Sequence, residues 1–218
     1  METGEFIVGF IAGIGTNLLS WWVLAHYFIP NINFGPSISK FSTECSEDDK
    51  SGYRYRIKLA NSGRRQIIDI NLSATIRVDG LRFGTTTEII NIPFSSDGEK
   101  DARILYMKPI KPNERNAKIL RLHINAYKAF STGWYFPEDF RNKAKNRMLT
   151  LEDVMSLGAN SWLQLTAFGY DEFSGARKMF TSRNYTIKDI KYGKFRIGGL
   201  DVVELERDQN NIKENGTV

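Results

Sequence analysis

The chain has 218 residues, a net charge of +5 at neutral pH, one cysteine and two histidines. A single cysteine excludes a fold held together by intramolecular disulfides, and two histidines leave little for a histidine-based metal site. Outside one N-terminal segment roughly 180 residues remain, which is enough for one hydrophobic core but hardly for two.

The first predicted element is a membrane helix over residues 6–29, which contain no Asp, Glu, Lys or Arg. At about 1.5 Å per residue, a helix of this length could cross an apolar layer about 30 Å thick. A signal peptide fits less well because a basic start is missing and the far end carries Trp21, Trp22 and Tyr27. A buried core helix fits less well because such helices are rarely apolar on all sides. Residues 1–30 are therefore predicted to be a transmembrane anchor.

One stripe of this helix carries small and polar residues. Gly9, Gly13, Asn17 and Ser20 recur at spacings of three or four, which places them on one helical face. The glycines would allow a second backbone to approach closely, and the Asn17 amide prefers a partner helix to lipid. We expect these residues to mediate helix association in a homo-oligomer. The alternative is that this glycine spacing arises by chance.

The charges around the segment predict its orientation. No Lys or Arg precedes it, whereas Lys40, Lys50, Arg54 and Arg56 follow it, and basic residues tend to stay on the cytoplasmic side. The lone Cys45 agrees with a reducing compartment. The predicted localisation is the inner or plasma membrane, with a single pass and a cytoplasmic C-terminal domain.

The soluble part begins with a predicted linker at residues 31–51, where Pro30, Gly35 and Pro36 break regular structure before an acidic run. From Tyr53 apolar and polar residues alternate, which is typical of half-buried strands. Strands at 53–59 and 68–78, separated by a loop at 61–65, predict a hairpin. Further strands are predicted at 87–92, 103–107, 117–127, 162–168, 177–181, 194–197 and 201–205.

Two helical inserts interrupt the strands. Residues 137–147 form a basic helix or loop, and the run from Thr150 to Asp153 is a capping box for a short helix that ends near Gly158. Residues 52–206 are thus predicted to be an immunoglobulin-like antiparallel β-sandwich, and 207–218 a disordered tail. The predicted fold class is mainly β, preceded by a single N-terminal transmembrane α-helix.

Two short motifs resemble the cytoplasmic domain of inward-rectifier potassium channels. In the first, an asparagine opens a basic loop that leads to two aliphatic residues and an acid, carried here by Asn61, Ile67, Ile68, Asp69, Leu72 and Ala74. In the second, residues 189–194 read acid, Ile, any residue, aromatic, Gly, base. The resemblance covers about residues 41–200. It implies the fold of that domain and a role in sensing a ligand, a lipid or a partner.

The sequence departs from that family where ions would pass. The channels have two membrane helices and a Thr-x-Gly-(Tyr/Phe)-Gly filter, whereas this sequence offers one candidate helix and no filter, so potassium selectivity is not expected. Arg64 and Arg65 fall in the family's basic loop, and the resemblance implies lipid-headgroup or gating contacts there. A solvated loop is the alternative. Lys143, Lys145 and Arg147 are further candidates for lipid or ligand contacts.

The sequence shows no catalytic constellation. His26 lies in the predicted helix, His123 lies within a predicted strand, and Cys45 stands among carboxylates that disfavour a thiolate. We therefore expect no catalytic residue, no metal site and no cofactor, and the protein is not expected to be an enzyme.

The expected partners are membrane lipid, further copies of the chain, and an unidentified protein or small ligand. Nucleic acid is not expected, because the basic residues are scattered and no recognition motif is present. The predicted function is a membrane-anchored, oligomeric binding or regulatory module. The alternative is a pore-forming or membrane-disrupting effector built from self-associating single helices.

Overall fold

The structure is a computed structural model and describes residues 2–26, 30–47, 49–81, 86–96, 104–113 and 117–204. The helices in these ranges are α1 Glu2–His26, α2 Ala129–Thr132, α3 Glu138–Lys145 and α4 Leu151–Met155. The strands in these ranges are β1 Ile32–Phe34, β2 Ile38–Ser42, β3 Tyr53–Asn61, β4 Ile67–Asp79, β5 Thr87–Asn91, β6 Phe94–Ser96, β7 Ile104–Met107, β8 Lys118–Leu122, β9 Asn160–Asp171, β10 Arg177–Thr181, β11 Ile190–Phe195 and β12 Val202–Glu204. The predicted tail at 207–218 lies outside the described residues.

Helix α1 forms where a helix was predicted, but the predicted membrane localisation is wrong. Among the described residues, no helix combines the length and the apolar character that crossing a membrane requires. The prediction of a membrane helix rested on the absence of charged residues from 6–29. Gly9, Gly13 and Gly15 add no apolar side chain to α1, and Thr16, Asn17 and Ser20 are polar. A segment without charges is therefore not the same as an apolar segment.

The strands form two sheets. Sheet I has the order β12-β11-β2-β3-β8-β6, and β1 also pairs with β3. Sheet II has the order β10-β9-β4-β5, and β7 also pairs with β4. The mainly β, sandwich-like architecture is thus confirmed. Among the described strand pairs, β2 and β11 form the one parallel pair. This pair brings a strand near the end of the chain beside one near its beginning.

The core lies between the inner faces of the two sheets, and β4 contributes most of one side. Every second side chain from Ile70 to Val78 is fully buried, as expected for a strand with one inner face. A register shift between Ile68 and Asn71, with Asp69 in a left-handed conformation (φ +48°), marks a β-bulge. The bulge explains why Ile67 is buried although it is out of phase with the later residues.

The predicted hairpin of residues 53–59 and 68–78 is wrong. Strand β3 pairs with β1, β2 and β8 in sheet I, whereas β4 pairs with β5, β7 and β9 in sheet II. The loop between them therefore crosses from one sheet to the other. The alternation of apolar and polar residues shows only that each strand has one buried face. Two strands from opposite sheets, packed across a core, show the same alternation as two strands that pair in one sheet.

A buried amide holds this crossing in place. The Asn61 Nδ2 group donates to the carbonyl oxygens of Arg65 (2.7 Å) and Ile110 (3.0 Å). Its Oδ1 atom accepts from the backbone N–H groups of Gly63 (2.9 Å) and Asn31 (3.2 Å). One side chain thus connects the entry to β1, the crossing loop and the segment beside β4.

The stretch 31–51, expected to be a linker, contributes strands β1 and β2 to sheet I. Ile32 and Ile38 lie in the hydrophobic core, and β2 pairs with both β3 and β11. Gly35 is required between them because a Cβ there would lie 2.9 Å from the carbonyl oxygen of Leu200. The breakers that suggested a linker therefore mark turns between short strands.

The helical inserts are confirmed. In α4 the Thr150 hydroxyl accepts from the Asp153 N–H (3.1 Å) and the Asp153 carboxylate accepts from the Thr150 N–H (2.9 Å), which is the predicted capping box. In α3 Phe140 is buried and the basic residues follow in the last turn. The predicted strand 117–127 ends at Leu122, where a 3-10 turn at Ile124–Ala126 begins.

The substitution Asn61→Leu tests the crossing. We expect it to lower the free energy of unfolding by about 3 kcal/mol or more, because buried backbone partners lose their hydrogen bonds. Urea denaturation measures this loss, and Asn33→Leu on the exposed side of β1 serves as the control, with an expected change within about 0.5 kcal/mol. Equal losses in the two variants would contradict the role of the amide.

Candidate ligand-binding cleft

An open cleft of about 600 Å³ lies where the chain crosses between the sheets. Three separate segments line it: the crossing loop after β3, the segment after β7, and the turn between β9 and β10. The lining residues are Arg64, Arg65, Gln66, Lys111, Pro112, Glu172 and Phe173. Backbone pairing explains how they meet, because Ile67 and Ile110 exchange two hydrogen bonds (3.3 and 3.0 Å) and the Glu172 N–H donates to the Gln66 carbonyl (3.3 Å).

The carboxylate of Asp171 anchors one wall of the cleft. It is almost fully buried, with 2% of the side chain exposed. Arg65 Nη1 donates to its Oδ2 atom at 3.1 Å and the Ser174 hydroxyl donates to the same atom at 2.6 Å. The Phe173 N–H donates to Oδ1 at 3.2 Å. The Asp171 carboxylate thereby connects the turn between β9 and β10 to the crossing loop.

The environment of Asp171 favours its charged form. Burial alone would raise the pKa of this carboxyl, but the hydrogen bonds from Ser174 and the Phe173 N–H, together with the Arg65 charge, outweigh burial and hold the pKa below its usual range. Asp171 is therefore ionised at neutral pH and keeps Arg65 in a fixed position.

The opening of the cleft presents cations beside an aromatic ring. The guanidinium carbon of Arg65 lies 4.4 Å from the centre of the Phe173 ring, and the Phe173 side chain is 74% exposed. Arg64 and Lys111 are exposed at the surface. Arginine offers planar donors that match a carboxylate or a phosphate, and lysine adds a point charge. The arrangement suits an anion that also carries an apolar or planar part.

The other predicted contact residues lie elsewhere. The Lys143 ammonium pairs with Asp153 at 2.8 Å, Arg147 Nη1 donates to the Glu47 carbonyl, and Lys145 lines a separate cavity of about 420 Å³ beside α3. The Arg147 carbonyl accepts from the Lys50 N–H, just before β3 starts. Arg64 and Arg65 follow the end of β3. At about 3.3 Å per residue, the strand separates the two sets by roughly 25 Å, so one small ligand cannot contact both.

The predicted association stripe lies on a helix whose described side chains are exposed. A Cβ added at Gly9 or Gly13 would meet no atom within 4 Å outside the helix backbone, and Asn17 and Ser20 are exposed. Large apolar side chains cover the rest of the helix surface and are 46–65% exposed: Phe10, Ile11, Ile14, Leu18, Leu19, Trp21 and Trp22.

Sequence reasoning missed Lys111 and Asp171 as parts of the cleft. Lys111 lies in the run Lys-Pro-Ile-Lys-Pro at 108–112, where one buried isoleucine stands between two Lys-Pro pairs. Such a run signals a short extended segment that anchors on a single apolar residue. Asp171 two residues before Phe173 fits an Asx-type turn, and that pattern was readable as well.

In sequence comparisons, no protein-family model matches the chain and no curated protein is significantly similar to it. The residues of the cleft and their geometry therefore carry the functional proposal.

The substitution Asp171→Asn tests the anchor through pH. A carboxyl with a lowered pKa stabilises the fold above its unfolded pKa of about 3.9, and this contribution is lost as the pH falls through the folded pKa. We expect Asp171→Asn to lower the free energy of unfolding by about 2 kcal/mol at pH 7, and we expect this loss to become smaller as the pH falls below the unfolded pKa towards 2.5. Denaturant titrations at both pH values measure the difference. Asp201→Asn, at an exposed carboxylate, is the control, and a loss that does not depend on pH would contradict the assignment.

Proposed function

We propose that the chain is a binding module whose β-domain takes an anionic ligand in the Arg64–Arg65–Lys111 cleft. The observation that supports this most directly is the convergence of three cations from two separate segments on one open cleft. The cations of the lining outnumber its one carboxylate, Glu172. The buried Asp171 carboxylate pairs with Arg65, and Arg64 and Lys111 are the exposed cations of the lining.

The same cleft suits phosphate chemistry in particular. A phosphate group accepts hydrogen bonds from several donors at once, and the guanidinium groups of Arg64 and Arg65 present such donors in planar pairs. The exposed Phe173 ring adds apolar contact for the part of the ligand that carries the phosphate. Both a free phosphate compound and a phosphorylated lipid headgroup satisfy this description.

We also propose that the two sheets form an immunoglobulin-like sandwich of the inward-rectifier cytoplasmic type. The resembling positions have distinct structural roles, which supports the proposal. Asn61 holds the crossing between sheets and Asp69 occupies the bulge of β4. Gly193 lies so close to β12 that a Cβ there would be 2.0 Å from the Val203 carbonyl oxygen. No observation on the described residues favours the alternative pore-forming effector, which also requires a helix that crosses a membrane.

The double variant Arg64→Gln/Lys111→Gln tests the cleft. It keeps Arg65 and its contact with Asp171, so the fold should remain intact. We expect its affinity for pyrophosphate, measured by isothermal titration calorimetry at fixed ionic strength, to fall at least about tenfold, or about 1.4 kcal/mol. A short-chain phosphatidylinositol phosphate is titrated in parallel, and the tighter of the two probes identifies the source of the phosphate.

The matched control is Lys188→Gln/Lys194→Gln, which removes the same charge at two exposed lysines near β11. If both double variants weaken binding equally, the effect reflects net charge alone and the cleft is not the site. Absence of binding to either probe by the unmodified chain would also contradict the proposal.

We further propose that α1 associates with α1 of a second copy along the stripe of Gly9, Gly13, Asn17 and Ser20. Small residues allow two backbones to approach closely, so that side chains on both rims can pack around the contact. The exposed apolar side chains nearest to the stripe, Phe10, Ile14 and Trp21, also favour burial against another chain. The Asn17 amide can pair with its own copy across such a contact.

The substitution Gly13→Leu tests this interface, with Gly15→Leu as the matched control. The two substitutions add the same side chain and the same gain in helix propensity, but they lie about 200° apart around the helix. We expect Gly13→Leu to shift the chain towards the monomer in light scattering across a concentration series, and Gly15→Leu to leave the distribution unchanged. A shift caused only by Gly15→Leu would instead place the interface on the opposite face.

A further inference from the structure

A second group of cations lies on the outer face of sheet I. Arg54 and Arg56 are two residues apart on β3 and therefore point to the same face, away from the buried Tyr55 and Ile57. Arg121 on β8 is the direct register partner of Arg56. These three arginines are called the arginine triplet below.

None of the three arginines forms an ion pair with an acid in the described part of the chain, although other basic residues there are paired. Like charges directly opposite each other on two strands destabilise a sheet. Burial, and after it the charges of Arg121 and Arg54, lower the pKa of Arg56 below its usual range.

The central arginine is held in place but incompletely bonded. The guanidinium carbon of Arg56 lies 3.9 Å from the centre of the Phe41 ring, which fixes the plane of the group. Its Nε atom is buried and has no hydrogen-bond partner among the described residues. A buried donor without an acceptor is unfavourable, so the site carries an uncompensated polar group as well as like charges.

The surroundings supply further polar groups. A cleft of about 240 Å³ lies beside Arg54 and Arg121 and is also lined by His123 and Asp49. The Ser95 hydroxyl and His123 Nε2 are 2.9 Å apart, and Ser95 is the register partner of Arg121 on β6. Asp49 is the one acid of this lining, and its Oδ1 atom already accepts from Asn125 (2.9 Å) and from the Ser51 hydroxyl (2.6 Å).

We propose that the arginine triplet is a second anion site, built to take a phosphate group on the outer face of sheet I. Arg54, Arg56 and Arg121 lie on one face of two adjacent strands, and Ser95 is the register partner of Arg121 on the next strand. His123 lines the cleft together with Arg54 and Arg121. A doubly charged phosphate removes the mutual repulsion of three cations, which a singly charged ion does only in part. A tetrahedral set of oxygens can also accept from several guanidinium groups at once.

This site is separate from the cleft at Arg64. Arg54 is the second residue of β3, whereas Arg64 follows the last residue of the same strand, about 25 Å further on. Binding at the triplet therefore does not depend on the function proposed for the first cleft. The experiment uses the chain with Arg64→Gln/Lys111→Gln, so that the first cleft does not contribute.

Inorganic phosphate is titrated into this chain by calorimetry, and its thermal unfolding is followed with phosphate or with sodium chloride at equal ionic strength. We expect phosphate to raise the midpoint of unfolding more than chloride does. Adding Arg121→Gln should weaken phosphate binding at least about tenfold and should raise the midpoint without phosphate, because it removes repulsion. Arg54→Gln should likewise weaken phosphate binding and raise the midpoint of unfolding without phosphate. A separate titration with free O-phosphoserine tests whether an esterified phosphate binds more tightly than inorganic phosphate.

The control is Arg77→Gln, which removes an exposed arginine from the outer face of sheet II. It should leave phosphate binding unchanged. The proposal is overturned if phosphate and chloride raise the midpoint equally, or if phosphate binds as tightly after Arg121→Gln and Arg54→Gln as before.

Discussion

The four hydrogen bonds of the buried Asn61 amide are the constraint on which the architecture depends. A chain that leaves one sheet and enters the opposite one must turn at the edge of the core, where backbone groups have neither a strand partner nor water. Asn61 supplies two donors and two acceptor positions at that point and uses all of them. Without such a group, the crossing would leave buried polar atoms unpaired, and the alternating pattern would be free to fold back as an ordinary hairpin.

The candidate cleft follows from this crossing. Because the loop after Asn61 is held from below, Arg64 and Arg65 project at a fixed place instead of sampling a mobile turn. The pairing of Ile67 with Ile110 then brings Lys111 to the same place, and the buried Asp171 carboxylate brings the turn after β9. The crossing loop leads directly into β4, and the other two segments are hydrogen-bonded to the start of β4 or to the residue before it. The site is therefore a consequence of how the two sheets are joined.

The sequence predicted local features well and their pairing poorly. The period-two runs of β3 and β4 and the capping box of α4 depend on neighbouring residues, and all of them were readable. Strand pairing depends on contacts across the core, which the local sequence does not show. The predicted pairing of β3 with β4 in a hairpin was therefore wrong. The short strands β1 and β2 were taken for a linker because two prolines and a glycine interrupt the stretch, although Phe34, Ile38 and Phe41 were compatible with a short amphipathic or edge segment. For the cleft, Arg64 and Arg65 were predicted as contact residues. Lys111 and Asp171 are far from them in sequence and are brought beside them only by the tertiary fold.

The two clusters of arginine differ in how their charge is balanced, and this difference has a thermodynamic consequence. Arg65 is neutralised by a buried acid whose pKa is lowered, so the first cleft is already organised before any ligand arrives. The arginine triplet has no such acid among the described residues, and Arg56 is held between two like charges. A ligand at the first cleft gains from preorganised donors, whereas a ligand at the triplet also relieves repulsion within the fold itself. Both gains act through the dissociation constant, so at the same ratio of free ligand to dissociation constant the two sites stabilise the folded state equally.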